Sequence, residues 1–402
     1  MLLLNAGHFL DHLVMLVFAT VAALALTREW GMAYADLVPY ATPGFVAFGV
    51  FSLPAGWLAD RWSREGMIAV YFAGIGLASI ATGFARTPVE IASGLFAVGM
   101  FAAIYHPVGL TLVYEAAERA SGGNTGTAIA VNGVWGNLGV GSAALITGFA
   151  IDNGGWRAAF MLPGALALLL GLAYVFVAGP FIDAASRKGA AKPAPHGADA
   201  DSAGHRALVL RVTAIVLATT AISGLIFQST TFALPKMLDE RLSGIAPSAS
   251  AVGWLAFAVF AIASLGQIVT GRLIDRLGPR TVFMTVAGLQ AVFFAAMPGL
   301  SGWPALVAAQ GFMLGAFGQI PINDTIIGRM ASPERRASIY GARFVVTFAV
   351  LAAALPFIAW VHRAHGFDTL FRILSAAAAM VFICAAMLPS RLPAAPEKVK
   401  AA

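Results

Sequence analysis

Gly56-Trp57-Leu58-Ala59-Asp60-Arg61-Trp62-Ser63-Arg64 closes one long apolar run, and Gly271-Arg272-Leu273-Ile274-Asp275-Arg276-Leu277-Gly278-Pro279-Arg280 closes another. Asp60 and Asp275 are 215 positions apart, and each copy is followed within a few residues by a further apolar run. A motif repeated at that offset predicts two structurally equivalent halves. Each copy places a small residue where helices approach closely, then an acid and arginines where a helix leaves the bilayer.

The composition around these turns points to a membrane protein. The chain of 402 residues is 59% hydrophobic and 11% charged, which does not provide a polar exterior for a soluble domain. A spanning helix needs about 20 apolar residues. About twelve such runs are present, at 4–26, 37–59, 67–85, 88–113, 125–151, 156–178, 208–234, 249–271, 281–300, 303–328, 338–361 and 367–389. The alternating segments of about ten residues that build transmembrane barrels are absent. The expected fold is an all-α integral membrane protein with 12 transmembrane helices in two pseudo-symmetric six-helix bundles. The domains expected are a first bundle over 1–179, a cytoplasmic linker over 180–207, a second bundle over 208–389 and a cytoplasmic tail over 390–402. The linker is rich in Ala, Gly, Pro, Lys and Asp, a composition that forms no core.

The net charge of +6 does not imply a nucleic-acid partner, because the basic residues are dispersed over loops on one side. Eighteen of the 25 lysines and arginines, Arg61, Arg64, Arg276 and Arg343 among them, fall on the side that carries both termini. The positive-inside rule makes that side cytoplasmic, so a multi-pass protein of the inner (plasma) membrane, read as a monomer, is expected. Cys384, the single cysteine, lies within the last run, and no internal disulfide can form. Residues 1–26 lack a basic leader and carry His8, Asp11 and His12 within the apolar segment, so they read as a retained first helix.

The duplicated G-x-L-x-D-R turn, the six-plus-six arrangement and the central loop resemble the major facilitator superfamily over essentially the whole chain. Gly155-Trp156-Arg157 and Pro333-Glu334-Arg335-Arg336 are further family-like pieces. The resemblance implies two bundles that rock about a central cavity walled chiefly by helices 1, 4, 7 and 10. It also implies that Asp60, Arg64, Asp275 and Arg276 hold the outward-facing state through contacts between the bundles. A narrower likeness rests on His8 with Asp11, Tyr105-His106-Pro107 and Gly136-Asn137-Leu138-Gly139, which resemble the branch containing the fosmidomycin-resistance exporter. In that branch the acid follows the histidine by four positions; here Asp11 follows by three, and His12 takes the fourth.

Depth singles out the chemistry. Of the nineteen acidic residues, seventeen fall in loops or within about one turn of a helix end, and Asp11 and Asp324 remain inside. An ionisable group inside a span is costly unless it faces protein or water, and by default it marks a functional site. Asp11 lies about eight residues from the cytoplasmic end of helix 1, and His106 about nine before Glu115 at the end of helix 4. At 1.5 Å per residue both sit about 12 Å inside the same edge, where two cavity helices can bring them together. Asp11, His8, His12 and His106 are therefore the proton-coupling candidates, with burial and pairing acting in opposition on their protonation. Pro107 removes a backbone hydrogen bond beside His106 and is expected to bend helix 4.

The second half offers amides where the first has titratable groups. Gln228, Gln319 and Asn323, with Tyr105 and Asn137 from the first half, are the candidate substrate contacts. Asp324 and Arg343 are positioned for an ion pair acting as an inner gate. No phosphate-binding loop for ATP is present. The expected function is a proton-coupled secondary transporter of a small organic solute, an exporter by the narrower likeness. A proton symporter importing a small organic acid is the alternative, followed by a metal or metal-chelate transporter, because His8, Asp11, His12, Met15 and His106 are all ligand types. No resident metal or cofactor is expected. An intramembrane enzyme or a carrier-derived sensor would need a nucleophile motif or a signalling domain, and the sequence displays neither.

Overall fold

A computed structural model describes residues 1–121, 125–188, 203–330 and 333–389, with side chains described for 1–119, 127–179, 208, 210–323, 325–326, 343 and 345–389. Among the described residues every regular element is helical. Ten spans are α1 (Leu2–Glu29), α2 (Tyr34–Arg61), α3 (Arg64–Gly83), α4 (Pro88–Arg119), α5 (Thr127–Gly154), α6 (Trp156–Gly179), α7 (Leu210–Arg241), α8 (Ala249–Leu277), α9 (Pro279–Ala296) and α10 (Gly302–Asn323). An eleventh stretch, Val345–Ala386, runs for 42 residues. At 1.5 Å per residue that is about 63 Å, about twice the thickness of a bilayer core. Gly366 interrupts it with φ 71° and ψ −175°, a conformation that a β-carbon disfavours. The stretch is two spans, α11 (345–365) and α12 (367–386), and the twelve apolar runs of the sequence correspond to twelve helices.

Helix ends follow local chemistry. Ser63, Thr87 and Ser248 each accept a hydrogen bond from a backbone N–H three residues on, capping α3, α4 and α8. Gly278 at φ 80° ends α8, and Pro279 opens α9 without needing a donor. In α4 the helix widens to a π-turn over Tyr105–Gly109, where Pro107 lacks its N–H.

Packing repeats with a shift of six. α1 lies on α5 as α7 lies on α11; α2 on α4 as α8 on α10; α3 on α6 as α9 on α12. Where the surroundings are apolar, close backbone approach supplies much of the attraction between helices. The halves meet along two seams related by the same shift, α5 with α8 and α2 with α11. In the first seam a β-carbon on Gly148 would lie 2.2 Å from the Ala249 carbonyl oxygen, and one on Gly253 would lie 2.5 Å from that of Ala144. In the second, a β-carbon on Gly49 would lie 2.7 Å from Phe348 Cβ, and the rings of Phe48 and Phe348 meet edge-on at 4.9 Å.

The two ends of the molecule differ in the described ion pairs. At the end remote from the duplicated turns, Arg363 of α11 pairs with Asp36 of α2, and Arg28 of α1 approaches Asp239 of α7 at 3.9 Å. Asp152 at the end of α5 also accepts a 2.7 Å hydrogen bond from the Ser250 N–H at the start of α8. All three contacts cross between the halves. At the end bearing the turns, Arg64 pairs with Asp60 at 2.7 Å and with Glu115 of α4, and Arg119 joins Glu115 at 3.2 Å, all within the first half. In the second half, Arg280 donates to the Ala386 carbonyl at 2.9 Å and Arg211 to that of Met387 at 3.1 Å.

Candidate functional site

The π-turn of α4 faces α1 and α5, and the four expected titratable residues meet there. Asp11 is fully buried, with His106 Nε2 3.5 Å from its Oδ2. That separation is long for a hydrogen bond, and neither Asp11 oxygen has another hydrogen-bond partner in the protein. Asp11 and His106 thus lie at one depth, as the constant rise of a helix predicts. The ring centroids of His8, His12 and His106 lie 5.0–5.4 Å apart, and Phe48 of α2 covers His106 edge-on at 5.6 Å.

Hydrogen bonds fix the roles of two imidazoles. His8 Nδ1 lies 2.8 Å from the Asn132 carbonyl oxygen, which only accepts, so Nδ1 carries the hydrogen. In neutral His8, Nε2 is then the lone-pair nitrogen. His12 Nε2, 3.2 Å away, donates to it. The result is a directed chain, His12 N–H to His8 Nε2 and His8 Nδ1–H to α5, beside the Asp11 carboxyl group, which faces His106. Such a chain can take up a proton only by rearranging, which links protonation to geometry.

A second polar layer surrounds the first. The Asn132 side chain donates from Nδ2 to Asn5 Oδ1 and to the Tyr105 hydroxyl, both at 2.9 Å, and that hydroxyl donates to the Leu4 carbonyl at 2.7 Å. Tyr105 also stacks on His8 with centroids 5.0 Å apart. Tyr71 of α3 donates to the Gly7 carbonyl at 2.7 Å. Tyr105, expected as a substrate contact, is fully buried and holds α4 against α1. Asn132, Asn5 and Tyr71 were missed by sequence reasoning. An asparagine inside an apolar run, four residues before Gly136, is the signal that was available.

Nitrogens of His8, His12 and His106 lie within 4.8 Å of one another, near enough to attract a metal ion, whereas Asp11 addresses only His106. As adjacent residues of α1, Asp11 and His12 diverge by about 100° around an ideal helix.

In the second half, α7, α9 and α10 build an amide network. Ser223 donates to Gln319 Oε1, Gln319 Nε2 to Gln290 Oε1 at 2.6 Å, and Gln290 Nε2 to the Phe312 carbonyl at 3.1 Å. Asn323 accepts from Thr219 at 3.4 Å and donates to the Gln319 carbonyl at 3.3 Å. Gln228 is buried, and its Nε2 has no hydrogen-bond partner. Asn137 is half-buried on α5. Gln290, Ser223 and Thr219 carried no signal beyond polarity within an apolar run.

Of the gating candidates, Asp60 and Arg64 sit in the first-half network with Glu115. Asp275 and Arg276 are exposed at the end of α8, and Arg343 is half-buried two residues before α11. The side chain of Asp324 lies outside the described residues, as do residues 189–202 of the expected linker and all of the expected tail from 390 onward.

Comparison with known proteins agrees with this architecture. The Major Facilitator Superfamily profile matches residues 4–246 and, again, 216–402. The chain belongs to the Major Facilitator Superfamily. The two matched stretches overlap over residues 216–246. A gallate transporter of Pseudomonas putida is 29% identical over 148 residues, 37% of this chain and 32% of that protein. The niacin transporter NiaP of Acinetobacter baylyi is 30% identical over 152 residues, 38% of this chain and 33% of that protein. The chain thus matches about a third of the length of each of these relatives. Among solved structures, the peptide transporter POT in complex with sulfate superposes with a TM-score of 0.76, 13% identity, and coverage of 96% of this chain and 93% of that one. The chain is a multi-pass membrane protein with the fold of that family.

Proposed function

We propose that this transporter couples inward movement of a small aromatic carboxylate to protons, by alternating access. The observation that carries the coupling is Asp11: a fully buried carboxyl group, without a close partner, in contact with a histidine cluster on two helices that wall the family's cavity. Gallate and niacin, named for the two relatives, are both aromatic acids. Those matches, over about 150 residues each, favour uptake, whereas the narrower motif likeness to the fosmidomycin-resistance branch favours export. Protonation of Asp11 and the histidines would accompany loading, because a buried carboxylate beside an arriving anion is repelled unless it is neutralised.

The positive-inside rule puts the duplicated turns and both termini at the cytoplasmic face of the inner membrane. The contacts of Arg363 with Asp36 and of Asp152 with Ser250 then close the outer face. Arg64, held by Asp60 and Glu115, supports a cytoplasm-open arrangement, and re-pairing of Asp60, Arg64, Asp275 and Arg276 across the bundles belongs to the opposite state. Asp324 and Arg343 serve as an inner gate. Gln228, whose donor is unpartnered, is the first choice for contact with the cargo carboxylate, with Gln319, Asn323 and Asn137 around it. The carrier works as a monomer.

Proteoliposomes containing a fluorescent pH reporter test the proposal. An inwardly directed proton gradient should drive accumulation of labelled gallate or nicotinate with acidification of the lumen, and a protonophore should abolish it. Uptake indifferent to the gradient would remove the coupling. Cargo movement opposite to the proton would establish antiport instead.

A further inference from the structure

α5 presents two working surfaces. Toward one end Asn132, Gly136 and Gly139, spaced i, i+4 and i+7, lie flush on His8 and Phe9 of α1. Toward the other, Ala144, Gly148 and Asp152 form the seam with α8. In a helix the carbonyl of residue i is ordinarily screened by the side chain at i+4, because Cα–Cβ bonds tilt toward the N-terminus. Position 136 is glycine, and a β-carbon there would lie 2.6 Å from His8 Nε2. Its absence leaves the second lone pair of the Asn132 carbonyl open to His8 Nδ1. The Asn132 side chain then fixes where that carbonyl stands, through its bonds to Asn5 of α1 and Tyr105 of α4.

We propose that Asn132 is a positioning residue for proton coupling: its carbonyl holds His8 as the Nδ1–H tautomer, and α5 ties the proton-accepting Nε2 to the seam between the halves. This rests on the proton-coupled reading above. When His8 Nε2 takes a proton it becomes a donor facing the donor of His12, and the 3.2 Å contact between them cannot persist in its present form. The proton resides on Nε2, and His12 must turn its own N–H elsewhere. The titratable groups around His8 are His12 and Asp11 on α1 and Tyr105 and His106 on α4, with Tyr71 of α3 behind Gly7; α5 contributes the uncharged Asn132. Rocking that parts α5 from α8 moves the same rigid helix whose carbonyl orients His8. Asn132 therefore acts on the proton without carrying one.

Ring-nitrogen NMR of ¹⁵N-histidine-labelled protein in nanodiscs reads the tautomer directly, with His8 assigned by its loss in His8→Gln. Wild-type His8 should be protonated at Nδ1 and bare at Nε2, and Asn132→Ala should give mixed tautomers. In proteoliposomes the same variant should shift the pH midpoint of uptake by about half a unit or more, while proton-independent counterflow of the labelled acid continues. Should Asn132→Ala not fold, Asn5→Ala removes one of the same hydrogen bonds from the α1 side and should act in the same direction. Wild-type His8 protonated at Nε2, or an Asn132→Ala protein with unchanged tautomer and pH profile, would overturn the proposal. A shifted tautomer together with pH-independent wild-type uptake upholds the role of Asn132 in orienting His8 and overturns the proton-coupled reading instead.

Discussion

The two halves share one packing plan but fill it with different chemistry. The pairs α1 with α5 and α7 with α11 are structural counterparts. The first holds an acid and two histidines of a buried cluster that His106 completes, whereas α7 carries Ser223 and Thr219, bonded to Gln319 and Asn323 of α10, and Gln319 in turn bonds Gln290 of α9. In the first half hydrogen bonds leave groups poised: Asp11 has no close partner, and His8 keeps a lone pair facing a donor. In the second half the Ser223–Gln319–Gln290 chain runs donor to acceptor until it ends on a backbone carbonyl. A network with unmet capacity can change state, whereas a satisfied one holds its shape. Under the proposed function the duplicated fold divides labour, with a titrating half set against a scaffolding half.

Replacing the poised acid should break that comparison most completely. Asp11→Asn preserves volume and removes the ionisable group, and accumulation driven by a proton gradient should be lost while counterflow and folding persist. Retained wild-type pH dependence in proteoliposomes would show that the halves are not divided as described. Gly136→Ala should come next. It directs a methyl group to 2.6 Å from His8 Nε2, and overpacking of this kind costs about 1–3 kcal/mol. A lower melting temperature and a weaker pH response should appear together, whereas Gly133→Ala, where a β-carbon meets nothing within 4 Å, should change neither.

The scaffolding half is tested by Gln290→Leu. The substitution orphans the Gln319 amide at a cost of about 1–3 kcal/mol. The measurable result should be reduced thermal stability and weaker cargo affinity with the pH profile unchanged. A displaced pH profile would mean that the amide network also takes part in coupling.

Much of this organisation is legible in the sequence. Twelve apolar runs and a motif repeated at a fixed offset specify the helices and their duplication, because backbone hydrogen bonding in lipid leaves few alternatives. Asp11 and His106 could be matched in depth because helical rise is constant. The residues that orient them could not be found in that way. Asn132 acts through a carbonyl exposed by a glycine four positions later, a relation among three helices with no fixed spacing in sequence. Gln290 likewise becomes meaningful only once α9 is placed beside α10. The partners of Arg64 illustrate the same gap: the motif announces an arginine at a turn, but Glu115 stands 51 positions away on another helix.

The smallest effect is expected at the contact where the halves meet with opposite charges. Arg363 and Asp36 are largely exposed, with side chains 62% and 46% accessible, and pairs of this kind contribute about 0–1 kcal/mol. Arg363→Gln should therefore shift the balance of access by no more than about fivefold, measured by the labelling rate of a cysteine placed near His106 in a Cys384→Ser background. Raising the salt concentration should mimic the substitution in the wild type and leave the variant unmoved, because screening acts on the attraction that the variant lacks. The glycine seam should prove the stronger restraint. Gly148→Ala drives a methyl group into the Ala249 carbonyl and should force the halves apart at that end, increasing labelling from that side well beyond the effect of Arg363→Gln. Were the ion pair the larger of the two, charge rather than close backbone packing would hold the halves together, and the division between them would lie in their electrostatics instead of in the hydrogen bonding of their cores.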